Sequence, residues 1–254
     1  MFALERQKKI MEFLQLQGGV LVNDLSRQFG VTEETVRRDL EKLENQGLLV
    51  RTHGGAVPYE ENTAELSLDV RKKKNIPIKE ELAKVAQQFI VPGDTIFLDA
   101  STTTFCLAKR IKQMSGVTVI TNSLRVLTEL AGCDKLKVIS VGGVLSSNMS
   151  FVGSMAEEEI LRHFFVTKMF FSSKGVTKDA GVLESNEQES HIKSAVFRNC
   201  KQKFYMCDDT KIGQVGFIKL APLEEIDTFI TNAVLDKRWQ NKLEECGVKL
   251  VTEV

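Results

Sequence analysis

The spacing of apolar residues near the start of the chain predicts two short helices joined by a tight turn. Leu25 and Phe29 are four residues apart, so they share one face of a helix. Gly30 follows at the position where a helix most easily ends in a left-handed conformation. Val31 then enters the space between the two predicted helices. The pattern favours a helical pair with a glycine corner.

The second helix of this pair is predicted by a buried stripe and by the residues of its first turn. Val36, Leu40 and Leu43 repeat at intervals of four and three residues. Thr32 is a good N-cap, and the acidic pair Glu33–Glu34 falls in the first turn, where the helix dipole favours negative charge. A helix is therefore expected to begin directly after Thr32.

The side chains that this stripe leaves outside are polar and partly cationic, as the recognition helix of a helix-turn-helix requires. Such a helix lies in the major groove of double-stranded DNA. The candidate DNA-contacting residues of this segment are Thr32, Glu34, Thr35, Arg37, Arg38 and Lys42. The alternative is an ordinary helical pair whose arginines are simply solvated, because this pattern also recurs by chance.

Two short extended runs follow and predict a small hairpin, or wing. They lie on either side of the glycine pair Gly54–Gly55, within residues 48–57. Arg51 and His53 are expected to point toward a phosphate backbone or a minor groove. His53 is equally compatible with an ordinary wing histidine that makes no DNA contact.

A change in composition separates this head from the rest of the chain. Residues 1–57 form the predicted DNA-binding domain, 58–75 a linker, and 76–254 a larger domain. The linker includes the basic run Arg71–Lys74, which is either a solvated connector or a segment near DNA phosphates.

The larger domain alternates predicted helices and short apolar strands. The predicted elements are a helix around residues 82–89, strands at 95–98, 117–121 and 137–141, and helices at about 103–112 and 124–131. Strands and helices that alternate at this spacing favour an α/β domain with a largely parallel, Rossmann-like sheet. Ligands of such sheets bind beyond the carboxyl ends of the strands.

Small polar residues, glycines and lysines follow five of the apolar runs. The candidate ligand-binding residues at these strand ends are Asp99, Ser101, Thr102, Thr103, Thr104, Thr121, Asn122, Ser123, Gly142, Gly143, Lys174, Asp208 and Lys211. In a parallel sheet these ends converge on one rim. Glu187, from a later segment, is added as a further candidate.

This chemistry suits a small, polyhydroxylated and phosphorylated ligand. Hydroxyls and free N–H groups at the helix start near Ser101–Thr104 suit a phosphate, with Lys211 supplying positive charge. Asp99, Asn122, Glu187 or Asp208 could accept hydrogen bonds from sugar hydroxyls. Taken singly, each motif is also explained as a helix cap or a turn.

Composition excludes several classes of protein. The apolar fraction of 43% is that of a globular protein, and no segment approaches the roughly 18 consecutive apolar residues of a membrane span. The start of the chain lacks a signal-peptide pattern, so a cytoplasmic protein is expected. Five cysteines without a C-x-x-C pair favour reduced thiols, with no metal and no cofactor.

Net charge is zero over the 254 residues, which is unusual for a protein that binds DNA through bulk positive charge. Residues 1–57 contain eight lysines and arginines and eight acidic residues. DNA affinity must then rest on local placement of charge, and self-association is expected to help.

Both halves of the chain resemble the DeoR family of bacterial transcription regulators. The matching segments are Val31–Leu40, Arg51–Ala56, Asp99–Thr103, Thr121–Ser123, Gly142–Gly143, Gly153, Lys174–Val176 and Asp208–Lys211. Thr32 and Val36 replace a more usual serine and isoleucine, and Ala100 replaces a common glycine. The first two changes preserve the chemistry, and the third alters the backbone requirement of its loop.

The resemblance implies a winged helix-turn-helix followed by a sensor domain similar to ribose-5-phosphate isomerase and coenzyme A transferases. It implies a repressor of carbohydrate uptake or catabolism genes that binds operator DNA and responds to a phosphorylated sugar. Because one small head contacts few base pairs, we also expect a homo-oligomer, dimer or tetramer, with the sensor domain as its interface.

Two other functions remain open from the sequence. The chain could be a sugar-phosphate isomerase or transferase with an appended DNA-binding head, since Asp99, Glu187 or Asp208 could act as a base. It could also be a DNA-binding scaffold whose sensor domain has lost its ligand. Fold alone does not separate these functions.

Overall fold

The chain divides into two compact units, residues 1–74 and 75–254. The structure, a computed structural model, describes residues 3–17, 20–45, 48–52, 54–58 and 68–252. His53 and most of the predicted linker, residues 59–67, lie outside the described residues. Each unit is described separately below.

The first unit is a winged helix-turn-helix, as the sequence predicts. Its elements are α1 (Ala3–Gln17), β1 (Val20–Leu21), α2 (Val22–Phe29), α3 (Glu33–Asn45), β2 (Leu49–Thr52), β3 (Gly55–Pro58) and α4 (Leu68–Lys73). β2 and β3 form the antiparallel wing, and β1 adds a third strand against β3. The first three residues of the basic run at 71–74 therefore form the last turn of the short helix α4.

The corner between α2 and α3 has the predicted geometry. Gly30 is left-handed, with φ 63°, and its N–H donates to the carbonyl of Ser26. The Ser26 hydroxyl donates to the carbonyl of Val31 at 2.7 Å, which holds the turn closed. Thr32 Oγ1 accepts from the Thr35 N–H at 3.3 Å and so caps α3.

The core of the first unit includes α1, a charged helix whose buried face the sequence pattern did not predict. Its buried apolar residues are Ile10, Leu14, Val20, Val22, Leu25, Val36, Leu40, Leu43, Leu49 and Ala56. Asp39 of α3 is also buried and forms an ion pair with Arg6 of α1. Gln7 donates to the second carboxylate oxygen of Asp39 at 3.0 Å. α3 is thus held to α1 by a buried polar contact.

The second unit contains a seven-stranded parallel sheet with helices on both faces. Its helices are α5 (Ile76–Gln87), α6 (Thr102–Ile111), α7 (Leu124–Leu130), α8 (Ser154–His163), α9 (Glu187–Arg198) and α10 (Lys237–Glu245). Its strands are β4 (Thr95–Leu98), β5 (Val117–Thr121), β6 (Leu136–Ser140), β7 (Val144–Leu145), β8 (Phe151–Val152), β9 (Val166–Phe171), β10 (Gly175–Thr177), β11 (Gly181–Glu184), β12 (Cys200–Cys207), β13 (Ile218–Ala221), β14 (Thr228–Thr231) and β15 (Lys249–Val251).

The order of the large sheet is β15-β14-β12-β9-β4-β5-β6, and every neighbouring pair in it is parallel. The elements predicted between residues 82 and 141 agree with the structure to within about a residue at their ends, apart from the first helix, whose start lies further upstream. Two smaller antiparallel groups, β10-β11-β13 and β7-β8, were not predicted.

Alternation along the central strands builds two cores. Phe97 faces the side covered by α8, α9 and α10, while its neighbours Ile96 and Leu98 face α5, α6 and α7. Phe170 and Phe171 divide between the same two sides. In the part of the chain that the structure describes, no helix has both the length and the apolar character needed to cross a membrane.

We predict that Arg6→Met destabilises the first unit by about 3–5 kcal/mol, because it leaves the buried Asp39 carboxylate without its cation. The double variant R6M/D39L should recover most of this loss. Hydrogen exchange of α1 and α3 amides in the full chain measures the effect. Lys9→Met, at an exposed position of the same helix, is the control. Equal exchange in the Arg6 and Lys9 variants would show that the buried pair contributes nothing.

Candidate DNA-binding surface and ligand site

The outer face of α3 presents the predicted arginines in loose ion pairs. Arg37 lies 3.3 Å from Glu33, and Arg38 lies 3.3 Å from Glu34, each one helical turn away. Half of the Arg37 side chain and 72% of the Arg38 side chain are exposed. Exposed pairs of this kind are worth about 0–1 kcal/mol, so either guanidinium can exchange its partner for a phosphate or a base edge at little cost.

The other predicted DNA-contacting residues differ in how freely they are presented. Lys42 is exposed, and the Thr35 hydroxyl lies 2.9 Å from that of Thr32. Arg51 of the wing is bound to α3, since its Nε donates to Glu44 at 2.7 Å and its backbone N–H to the other oxygen of the same carboxylate at 3.0 Å. A phosphate contact by Arg51 therefore requires that it leave Glu44.

In the second unit, five polar strand ends lie side by side. They belong to β12, β9, β4, β5 and β6, which are consecutive in the sheet and parallel. The strands thus bring together Asp208 and Lys211, Lys174, Asp99–Thr104, Thr121–Ser123 and Gly142–Gly143 at one edge. We call this edge the rim. Glu187 is exposed in the first turn of α9, and no hydrogen bond joins it to these strand ends among the described residues.

The start of α6 provides a capped helix N-terminus at the centre of the rim. Ser101 is the N-cap, and its hydroxyl accepts from the Thr104 N–H at 3.2 Å. The Thr104 hydroxyl donates to Asp99 at 2.7 Å. Thr102 is buried, and so is Thr103, whose Oγ1 has no hydrogen-bond partner within the described residues. A helix start of this kind attracts anions.

Both carboxylate oxygens of Asp99 already have partners within the protein. Its carboxylate accepts from the backbone N–H groups of Ser101 and Ser172, both at 3.1 Å, from Thr104, and from Lys193 Nζ at 3.0 Å. Burial acts to raise the pKa of Asp99, but Lys193 and these hydrogen bonds outweigh it and lower the pKa. The expected role of Asp99 as an acceptor for a sugar hydroxyl is not supported by this geometry, because its oxygens are already used.

Lys193, a residue that the sequence reasoning missed, links the strand ends behind the rim. It is buried on α9, forms a short ion pair with Glu184, and donates to the Ser172 carbonyl at 2.6 Å. Burial acts to lower its pKa, but the Glu184, Asp99 and Glu189 carboxylates outweigh burial and raise the pKa. In sequence, a lysine on an amphipathic helix gives no sign that it is buried.

The other predicted lysine and acid of the rim lie on the loop after β12. Lys211 Nζ donates to the Ser172 hydroxyl at 2.6 Å, which in turn donates to the Met206 carbonyl at 2.6 Å. Asp208 accepts from the Thr210 hydroxyl and from the Asn75 amide, the latter at 3.3 Å. Burial acts to raise the pKa of Asp208, but Lys211 and the neighbouring donors lower it.

Of the polar residues at the end of β5, two make hydrogen bonds that stabilise the fold, and one has an acceptor atom without a partner among the described residues. Thr121 donates to the Leu98 carbonyl at 2.7 Å, and Ser123 caps α7 by accepting from the Val126 N–H at 3.3 Å. Asn122 donates to the Phe151 carbonyl at 3.3 Å, whereas its buried Oδ1 accepts nothing from the described residues. Asn122 therefore has an unused acceptor at the rim.

The glycine pair after β6 is explained by packing. Gly142 and Gly143 have φ values of 67° and 107°, which a residue with a Cβ rarely adopts. A Cβ on Gly143 would lie 2.7 Å from the Val152 carbonyl oxygen. The pair thus lets the β7-β8 hairpin approach the sheet.

A cleft of about 480 Å³ opens beside the rim, at the ends of β12 and β14. Asp209, Asn232 and Trp239 contribute to its lining. Asn232 accepts from the Asp209 N–H at 2.9 Å, which joins the cleft to the loop that contains Lys211. No cluster of three or more potential metal ligands occurs within the described ranges.

Comparison with known proteins assigns both units. Residues 6–62 match the model of the DeoR-like helix-turn-helix domain, and residues 74–233 match that of the DeoR C-terminal sensor domain. The chain belongs to the DeoR family of transcription regulators. The resemblance inferred from the sequence is thereby confirmed, as is its prediction of a DNA-binding helix-turn-helix regulator.

Similar proteins align with this DeoR-family chain over nearly its whole length. The "Uncharacterized HTH-type transcriptional regulator YulB" of Bacillus subtilis (strain 168) is 38% identical over 251 residues, covering 98% of this chain and 96% of the relative. The "HTH-type transcriptional repressor GlcR" of the same organism is 30% identical over 254 residues, covering 100% and 98%.

Among solved structures, ribose 5-phosphate isomerase A from Methanocaldococcus jannaschii is 14% identical and aligns with a TM-score of 0.41. The alignment covers 55% of each chain. The expected similarity of the sensor fold to this enzyme is present but distant, and no functional conclusion follows from it.

We predict that Lys193→Met destabilises the second unit of this DeoR-family protein by about 3–5 kcal/mol at neutral pH, because it leaves buried carboxylates without their cation. The pH dependence should also reverse. In the native chain the lowered pKa of Asp99 gives stability that is present above the ordinary aspartate pKa of 3.8 and is lost as pH falls through the lowered pKa. Without Lys193, burial raises that pKa, so stability falls as pH rises through it.

Unfolding by denaturant between about pH 2 and pH 8 measures this reversal, because the loss in the native chain lies below pH 3.8 and the loss in the variant lies above it. Lys201→Met, at an exposed position of β12, is the control. A Lys193 variant with the native pH profile would show that Lys193 does not set the charge state of Asp99.

Proposed function

We propose that the chain is a repressor of carbohydrate uptake or catabolism genes whose operator affinity is controlled by a phosphorylated sugar bound at the rim. The observation that carries the proposal is the convergence of five polar strand ends around the N-terminus of α6, with Lys211 beside them. This arrangement combines an anion site with acceptors for hydroxyl groups. The first unit supplies the DNA-binding surface, and the protein would act in the cytoplasm, where bacterial DNA lies.

The phosphate is assigned to the start of α6. Free N–H groups and the helix dipole favour an anion at this position, and Ser101 marks it as the cap. Lys211 is held by a neutral hydroxyl, that of Ser172, and so can exchange it for a phosphate oxygen. Lys174, at the end of β9, is the next candidate cation.

The sugar portion is assigned to acceptors with unused capacity. Asn122 Oδ1 is buried without a partner among the described residues, and leaving such an atom unsatisfied costs about 1–3 kcal/mol. A ligand hydroxyl would recover this energy. Asp99 positions the loop from behind and does not contact the ligand in this proposal, and Glu187 is left without a role.

The enzyme alternative is disfavoured by the electrostatics of the rim. A general base for sugar isomerisation works best when its pKa is raised toward the working pH. The pKa values of Asp99 and Asp208 are instead lowered, because Lys193 and Lys211 stabilise their charged forms. The named relatives are transcription regulators. Binding without turnover is therefore the proposed chemistry.

The proposal includes a homo-oligomer, a dimer or tetramer, that assembles through the second unit. One winged head contacts only a few base pairs, whereas genomic specificity needs two heads on paired half-sites. Light scattering of the full chain with and without operator DNA tests this; a monomer under both conditions would contradict it.

We predict that Arg38→Ala weakens operator binding about 5–150-fold, corresponding to about 1–3 kcal/mol for a lost base or phosphate contact. Arg37→Ala should weaken operator and random DNA more equally. The operator is first selected from random duplexes with the native protein, and gel shifts then give Kd. Lys109→Ala removes one exposed charge from α6 and serves as the control. If the folded double variant R37A/R38A binds the operator with native affinity, α3 is not the recognition helix.

We predict that Lys211→Met lowers affinity for a phosphorylated sugar about 10–150-fold, because a charge-assisted hydrogen bond worth about 1.5–3 kcal/mol is lost. Thr102→Val should also lower it. Calorimetric titration with a panel of sugar phosphates, each paired with its unphosphorylated sugar, measures the effect. DNA binding without ligand should stay native.

Lys219→Met, at an exposed position of β13, is the matched control for the Lys211 variant. If the Lys211 and Lys219 variants bind the sugar phosphate equally well, the phosphate lies elsewhere on the rim. Lys174→Met would then be the next substitution to test.

A further inference from the structure

Asn75 has a conformation that its place in the sequence does not explain. It is the N-cap of α5, yet its backbone is left-handed, with φ 55° and ψ 36°. An N-cap residue ordinarily has extended backbone angles, and its side chain accepts from an N–H of the first turn. Here the side chain makes no capping hydrogen bond. Asparagine adopts this region more readily than most residues, and here its side chain is free of the capping role and available for a contact elsewhere.

The side chain of Asn75 is directed instead to the loop after β12. Its amide nitrogen lies 3.3 Å from Asp208 Oδ1 and 3.4 Å from the Thr210 hydroxyl. Asp208 and Thr210 are also hydrogen-bonded to each other. Lys211, the proposed phosphate ligand, is the next residue of this loop. One amide thus ties the start of α5 to the loop that contains Lys211.

A second side chain of α5 supports the same contact. Lys79 begins the next turn, since its N–H donates to the Asn75 carbonyl at 3.0 Å. It is buried, and its positive charge contributes to lowering the pKa of Asp208. Pro77, in the first turn of α5, restricts the backbone between the two. The start of α5 therefore meets the loop as a stiff element with a hydrogen-bond donor and a cation.

We propose that Asn75 is the positioning residue through which occupancy of the rim reaches the DNA-binding unit. Asn75 is the first residue of the second unit and follows directly on Lys74, the last residue of the first. When Lys211 exchanges the Ser172 hydroxyl for a ligand phosphate, the loop at residues 208–211 moves, and Asn75 moves with it. This inference rests on the proposed function, in which the rim binds a phosphorylated ligand.

A physical coupling must distinguish two states, and this contact can do so. A ligand shifts an equilibrium only by the difference in its interactions with the two arrangements. The Asn75 amide is bonded to Asp208, whose charge is stabilised by Lys211. Recruiting Lys211 to a phosphate weakens that stabilisation, so the strength of the Asn75 contact depends on occupancy.

Two substitutions separate the side chain of Asn75 from its backbone. Asn75→Gly keeps the left-handed conformation without strain and removes the amide. Asn75→Asp keeps the size of the side chain and its tolerance of this conformation, but it places a carboxylate opposite Asp208. Lys84→Ala, at an exposed position of α5 far from the loop in sequence, is the matched control.

Hydrogen exchange of the full chain, with inorganic phosphate as the probe, tests the link. In the native protein and in K84A, phosphate should slow exchange in residues 204–217 and also in residues 75–82. In N75G and N75D the first segment should be protected as before, while the second should be unaffected. Protection of residues 75–82 in both Asn75 variants would overturn the inference. No protection of residues 204–217 in the native protein would refute the proposed rim site, and the inference with it.

Operator binding gives an independent readout. Without ligand, N75G and N75D should bind the selected operator within about two-fold of the native Kd. The factor by which the ligand changes this Kd should fall from about 5–150-fold to near one. The probe here is the phosphorylated sugar that binds best in calorimetry. An undiminished ligand effect in both variants would assign the coupling to another part of the sensor.

Discussion

The Lys193 ammonium is the interaction on which the rim depends. It lies behind the strand ends, where it contacts Asp99 after β4, the Ser172 carbonyl after β9, and Glu184 of β11. Asp99 is distant in sequence from the other two, and the polar groups of all three are buried. A buried carboxylate is tolerated only when it is paired, so the cation permits Asp99 to organise the loop into α6. Because Lys193 neutralises the buried carboxylates behind the rim, the proposed ligand contacts fall to Ser101, Asn122 and Lys211.

The sequence predicts the local elements well and the long-range order poorly. Leu25, Phe29 and Gly30 specify the first helix and its corner through interactions within a few residues, so periodicity is enough. The strand pairing is different, because β9 lies between β4 and β12 although about seventy residues separate β4 from β9. Lys193 and Asn75 escaped prediction for a related reason. Their partners lie on other elements, and Asp99 and Asp208 are far away in sequence. Locally, Lys193 looks like a solvated helix residue and Asn75 like a simple cap.

The polar residues of the strand ends show why composition overstates a binding site. Every strand that runs into a helix needs a cap, and Ser, Thr, Asn and Asp are both the best caps and common ligand contacts. Ser123 proved to be a cap, and Thr121 and Asp99 are occupied within the fold. Only the hydrogen-bond inventory separates these residues from Asn122, whose acceptor is unused among the described residues. The motif predicted that these residues share one edge of the sheet, as the structure shows, but the contacts of each residue followed only from the three-dimensional structure.

In the proposed function, the paired arginines of α3 also affect how the protein finds its operator. Each is matched by a glutamate one turn earlier, and residues 1–57 contain equal numbers of acidic and basic side chains. Each ion pair is worth only about 0–1 kcal/mol, so a well-aligned contact replaces it readily, whereas a poorly aligned phosphate of arbitrary genomic DNA gains little in its place. Counterion release is then small at the millions of competing sites, and the protein dissociates from them quickly. In this proposal the glutamates compete with DNA for the arginines, and the competition disfavours poorly aligned contacts more than the aligned contacts at the operator.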